Sequence, residues 1–290
     1  MSDPASPSTP VVETIIRPNT AWFTIDWRGL YAYRDLLRQL VLRDFTAKYK
    51  QTILGPTWFF VNPLITTLTF TLVFNKVIGV PTEGVPPMLF YLGGLLGWSY
   101  FASVLGATSN SLAGSAGLFS KVYFPRLIPP LALTLSNLIA LTIQLTTFLA
   151  FYAQARWGTA VPTVAAPGLR WLAFPGLIVH MALLALGTGL LLSSFTAKYR
   201  DLHHIQGFIV QLWMYASPVI YPLSRVPEKW QWVAHLNPMT AIVEASRRIL
   251  LGVGTIDPAQ YLQSLAISLL IFFVGLFAYQ RAARTFVDTV

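Results

Sequence analysis

Long charge-free apolar runs alternate with short segments that hold nearly all of the Lys and Arg residues. Six runs are each near the roughly 20 residues a helix needs to cross a bilayer core: about 56–75, 88–109, 127–152, 171–195, 205–221 and 261–279. A charge at the centre of such a helix costs about 3 kcal/mol, so the limits of each run fall where charges resume. Ahead of the first run, Tyr33, Leu37, Val41, Phe45 and Tyr49 recur every four residues, with Leu36 and Leu40 beside them. Arg34, Arg38, Arg43 and Lys48 fall largely elsewhere, which predicts an amphipathic interfacial helix over about 31–50. Gly55 and Pro56 break it immediately before the first apolar run.

The stretch 228–252 reads differently. It is apolar enough to touch lipid, yet it carries Glu244, Arg247 and Arg248. A seventh crossing there would move Arg281 and Arg284 to the far side. A re-entrant hairpin keeps them in place and is allowed where protein or a water-filled cavity surrounds the backbone. Asn237-Pro238 supplies an N-cap and a first-turn proline, so a helix is expected to start there. Glu244 then pairs with Arg247 or Arg248 at helical spacing.

These elements predict an all-α membrane protein. It has six transmembrane helices, an N-terminal amphipathic interfacial helix and an external re-entrant gate hairpin between spans five and six. Residues 1–30 read as a flexible cytoplasmic leader and 31–290 as one transmembrane domain. With this topology thirteen Lys and Arg residues face one side and seven the other, which places both termini in the cytoplasm. The first fifty residues lack the early apolar run of a cleavable signal.

Composition agrees. The 290 residues are 54% hydrophobic and only 11% charged, against about a quarter charged in soluble domains. At this hydropathy the net charge of +9 points to anionic lipid rather than nucleic acid. Without cysteine, disulfides and thiol ligands are excluded, and the four His residues show no metal-ligand spacing with carboxylates. No G-x-x-x-x-G-K-[ST] phosphate loop, paired carboxylates or Ser/His/Asp set stands out. An enzyme acting on polyprenyl phosphates would need intramembrane acids, often with a divalent metal, whereas most acids here sit in tails or loops.

Three groups of residues carry candidate chemistry. Arg43, Lys48 and Lys50 set cations at headgroup height; this suits either a passive anchor or a platform that attracts a lipid-linked phosphate. Tyr91, Gly94, Trp98 and Phe101 share a helix face, Trp58 opens the first span, and Tyr215 lies in the fifth. Such rings pack on the C–H edges of sugars, although Trp and Tyr also belong at membrane interfaces. The loops SLAGSAGLFSKVYFPR and AKYRDLHHI combine apolar and basic residues, as ordinary loops do and as docking loops do.

RDFTAKYKQTILGPTWFFVNP, FTAKYRDLHHI, SPVIYP and LNPMTAIVEASRRILL occur in that order. Over nearly the whole chain beyond residue 30, this resembles the type-2 permeases of polysaccharide ABC exporters, the Wzm-type group for O-antigen, capsule and teichoic acid. The resemblance implies a type-2 ABC permease domain in the inner membrane. It implies a homodimer that pairs with two copies of a separate nucleotide-binding subunit, which binds ATP and Mg. The chain itself would carry no cofactor. The cargo implied is a glycan on undecaprenyl diphosphate. By position, Arg43, Lys48, Tyr49, Lys50, Leu54 and Gly55 would receive the lipid diphosphate. Trp58, Tyr91, Trp98 and Tyr215 would line the channel. Phe119, Lys121, Arg200 and Asp201 would couple to the ATPase. Pro218, Asn237, Pro238, Glu244 and Arg247 would form the external gate. The alternatives are an exporter of the same class for a lipid or drug, and an enzyme handling polyprenyl phosphates.

Overall fold

The structure, a computed structural model, describes residues 26–50, 52–119, 121–158, 164–199, 201–255 and 257–287. Arg200 and most of the leader lie outside them. Among the described residues the regular elements are all helical.

The segment expected at the interface folds as two helices. α1 (Trp27–Ala32) is capped by the Asp26 side chain, which accepts from Gly29 N at 2.8 Å. α2 (Arg34–Ala47) follows after a break at Tyr33, whose hydroxyl donates to Tyr123 O at 3.0 Å. The four-residue stripe faces protein: Leu36, Leu37, Leu40 and Val41 pack with Phe124, Ile128 and Ala132. The helix is therefore clamped to the bundle. Gly55 turns the chain at a left-handed φ of +50°. α3 (Trp58–Phe70) then begins and is extended to Val77 by π-helical turns.

The remaining helices are α4 (Pro87–Thr108), α5 (Ser111–Gly114), α6 (Ala116–Phe119), α7 (Ile128–Ala153), α8 (Phe174–Thr196), α9 (Leu202–Tyr215), α10 (Glu228–Leu236), α11 (Pro238–Leu250) and α12 (Pro258–Val287). Prolines stand in the first turn of α4, α7, α8 and α11, where an amide hydrogen has no helical partner to lose. α4 is the axis of the bundle and packs on α7, α8 and α11. α8 and α12 run parallel and touch backbone to backbone. A Cβ on Gly187 would stand 2.5 Å from Phe272 Cα, and one on Gly275 would overlap Gly187 O.

Five stretches among the described residues are long and apolar enough to cross a membrane: Gly55–Val77, Pro87–Thr108, Ile128–Gly158, Leu169–Thr196 and Pro258–Arg284. The run expected at 205–221 is different. α9 holds 14 residues, about 21 Å at 1.5 Å per residue, short of a hydrocarbon core of about 30 Å. It stops ahead of Ser217-Pro218, because proline disfavours the helical conformation of the residue before it and donates no hydrogen bond. The chain continues without regular structure to Tyr221.

Candidate functional site

A cavity of about 390 Å³ opens between the C-terminal end of the interfacial segment, α3, α4 and α7, with Met214 of α9 at its edge. Among the described residues Lys48 is its one cationic lining residue. The stem of Lys48 is exposed, but its ammonium turns inward and donates to Asn137 Oδ1 at 2.9 Å. Burial holds the pKa of Lys48 below the usual lysine value, and Asp44 opposes that shift. Tyr49 packs on Phe59 with ring centroids 4.1 Å apart, and burial pushes its phenol up to about 12, so it stays a neutral donor. Trp58 and Trp98 supply aromatic walls. Deeper in, Ser99 Oγ donates to Gln144 Oε1 at 2.6 Å. Asn62, Thr66 and Ser103 complete the polar lining.

At the opposite end of the bundle a polar core forms around α11. Arg247 is wholly buried. Its guanidinium donates to Val219 O at 2.6 Å, Glu244 Oε1 at 3.3 Å and Tyr221 O at 3.5 Å. Its centre stands 3.8 Å from the centroid of the Phe90 ring, a cation–π contact in a dry setting. Glu244 Oε2 accepts from Thr255 N at 3.2 Å. The carbonyls of the irregular stretch after α9 thus find their donor on a side chain of α11. Gly94 allows this approach: a Cβ there would lie 2.9 Å from both Arg247 Nη2 and Val219 O.

Asn237 joins the same assembly. Its Oδ1 accepts from Met239 N at 3.0 Å, capping α11 as expected, and from Trp213 Nε1 at 2.9 Å. Its Nδ2 donates to Ser217 Oγ at 2.8 Å. Asn237→Ala removes the cap and strands a half-buried indole N–H. Such a cap is worth about 1 kcal/mol, so the thermal midpoint in detergent should fall by a few degrees.

The structure thus brings Lys48, Tyr49, Trp58 and Trp98 to one cavity, and Pro218, Asn237, Pro238, Glu244 and Arg247 to one polar core. Arg43 is exposed and pairs with Asp44 Oδ1 at 2.8 Å, outside the cavity lining. Lys50 is exposed, and Leu54 and Gly55 form the turn into α3. Tyr91 is fully buried between Phe70 and Phe90, and Tyr215 is exposed on α9; neither lines the cavity. Phe119 packs on Phe124 with centroids 5.4 Å apart, while Lys121 and Asp201 lie exposed at the α2 end. Sequence reasoning missed Asn62, Thr66, Ser99, Ser103, Asn137 and Gln144. Their signal was present as polar residues four or seven apart within charge-free runs, which places each pair on one helix face.

Apolar helices around a cavity with polar and aromatic walls define a multi-pass membrane protein with a place for a polar molecule inside it. The sequence model of the ABC-2 type transporter family matches residues 35–251, and the chain belongs to that family. It is therefore a membrane permease. It is 26% identical over 266 residues to the O-antigen export system permease protein RfbA of Myxococcus xanthus, covering 91% of this chain and 98% of that protein. A protein of the same name from Klebsiella pneumoniae is 24% identical over 256 residues, 88% of this chain and 94% of its own length. The polysialic acid transport protein KpsM of Escherichia coli is 20% identical over 256 residues, 87% and 95% of the two chains.

Proposed function

We propose that this chain is the transmembrane subunit of an ATP-driven exporter that moves a polysaccharide linked to undecaprenyl diphosphate across the bacterial inner membrane. The observation that carries this reading is the cavity that joins Lys48 of the interfacial segment to Trp58 and Trp98 of the spans. A polyprenyl tail gains about 0.8 kcal/mol per buried CH₂ and stays in lipid. A glycan cannot enter hydrocarbon. An exporter of such a hybrid needs a cation at headgroup height that opens directly on a wet, ring-lined passage.

The topology that fits is six crossings with both termini cytoplasmic. α9 and the irregular 216–221 together form the fifth crossing. Irregular backbone at that depth is tolerated only where protein surrounds it, and Arg247 meets that condition for Val219 and Tyr221. α3 and α9 leave Ile65, Leu68, Leu72, Phe208 and Leu212 exposed beside the cavity, which suits a second copy of the chain lying across it. Phe119, Lys121 and Asp201, with Arg200 outside the described residues, lie where a cytoplasmic ATPase would push. ATP and Mg bind to that partner. The hairpin at the external end is the gate.

Changing Arg43 and Lys48 together to Ala removes two cations from the uptake face. Hydrogen bonds to charged groups are worth about 1.5–3 kcal/mol, so delivery of glycan to the cell surface should fall about tenfold or more. Co-purification with the ATPase should persist. Unchanged surface glycan in that variant would remove the uptake role of this face.

A further inference from the structure

The cavity continues well past its cation, and what it offers there is uncharged. Gln144 lies seven residues beyond Asn137 on α7, about 10 Å deeper at 1.5 Å per residue. Its Oε1 accepts from Ser99 Oγ at 2.6 Å, while its Nε2 hydrogens have no protein acceptor among the described residues. The Asn62 side chain makes no hydrogen bond among those residues and faces the same space. Ser103 adds a hydroxyl, and among the described residues no carboxylate lines the cavity. Leu95 and Leu96 form an apolar floor, and Trp98 a flat wall.

A site for phosphate alone would end at Lys48 and gather further cations. This one has a single cation followed by neutral amide and hydroxyl groups, an aromatic face and a volume within the roughly 300–1,000 Å³ of small-molecule sites. That sequence of chemistry matches a phosphate followed by an uncharged, hydroxyl- or carbonyl-bearing ring. We infer that each protomer holds, within its own helices, the sugar attached directly to the lipid diphosphate, and that Gln144 and Asn62 select for it. This rests on the exporter reading above and adds to it a discrimination step. A lipid diphosphate without its sugar reaches Lys48 but leaves the open amides of Gln144 and Asn62 unmatched, so it is held less tightly.

The test is binding of two lipids that differ only in the sugar, undecaprenyl diphosphate and undecaprenyl diphosphate bearing one N-acetylglucosamine, to the full-length chain in lipid nanodiscs. The wild-type protein should bind the sugar-bearing lipid at least tenfold more tightly. Gln144→Leu and Asn62→Leu should each bring that ratio close to one while binding of undecaprenyl diphosphate stays within twofold. Lys48→Met should weaken both lipids together. Because the exposed Asn62 side chain makes no hydrogen bond among the described residues, Asn62→Leu keeps the fold even if Gln144→Leu does not. A wild-type ratio near one, or a high ratio that both leucine variants retain, would overturn the sugar subsite and leave the exporter reading standing. Failure of the wild-type protein to bind either lipid would overturn both.

Discussion

Arg247→Met is expected to destabilise the folded protein by about 3–5 kcal/mol, the cost of breaking a buried ion pair from one side. Methionine fills similar space over Phe90, so volume contributes little. What is lost is electrostatic: Glu244 is left charged and buried without its cation, and the carbonyls of Val219 and Tyr221 lose their donor. The damage centres on the irregular stretch after α9, because the guanidinium is what lets that backbone lie inside the protein. Combining Arg247→Met with Glu244→Leu should recover part of the loss, since no uncompensated charge remains. Full recovery is not expected, because Val219 O and Tyr221 O still lack a donor at about 1–3 kcal/mol each. Thermal unfolding in detergent, followed by intrinsic fluorescence, reads all three proteins. A single variant that melts with the wild type would show that the pair does not hold α11 against the stretch after α9.

Gly275→Val is expected to be comparably damaging by a different route. α8 and α12 approach so closely that a side chain at 275 meets the backbone at Gly187, and a side chain at 187 meets the backbone at Phe272. Backbone cannot rotate out of the way as a side chain can, so the two helices must separate along their length. Overpacking of this kind costs about 1–3 kcal/mol and more when the obstacle is rigid. In a membrane, where close packing is a main source of helix association, little else compensates. The expected result is a sharp loss of folded protein extracted from membranes. Gly207→Ala is the matching control: the new methyl group on α9 meets nothing within 4 Å. Equal yields from the two variants would contradict close α8–α12 packing.

The helices were legible because a charge-free run of bilayer length has few other uses, and four of the six expected runs coincide with long α-helices while α3 is extended by π-helical turns. The fifth was harder. Its hydropathy continues through Ser217-Pro218, but the hydrogen bonds that complete it come from Arg247, 28 residues from Val219. Window hydropathy sees neither the proline as a stop nor the arginine as a partner. Helical spacing offered Glu244 either Arg247 or Arg248, and the structure takes Arg247; the stacking on Phe90 was not readable, because it depends on α4 lying under α11. The cavity shows the same division. Lys48, Tyr49, Trp58 and Trp98 stood out by charge or ring. Gln144 and Ser99 did not, since one amide and one hydroxyl in separate spans acquire meaning only when α4 and α7 are side by side. Tyr91 shares a helix face with Trp98 yet ends in the core, wedged between Phe70 and Phe90, while α4 turns Leu92, Leu95, Leu96 and Ser99 toward the cavity.

As proposed, this chain is a conduit for a lipid-linked glycan and draws its energy from another subunit. The most direct measurement is transport in proteoliposomes that hold the chain with its partner ATPase, loaded with undecaprenyl-diphosphate-linked polysaccharide on the ATPase side. Glycan should become accessible to a glycosidase on the opposite side only when both proteins and ATP are present, and the chain alone should hydrolyse no ATP. Glycan that stays on the ATPase side while the partner hydrolyses ATP, or hydrolysis by this chain alone, would contradict the proposal.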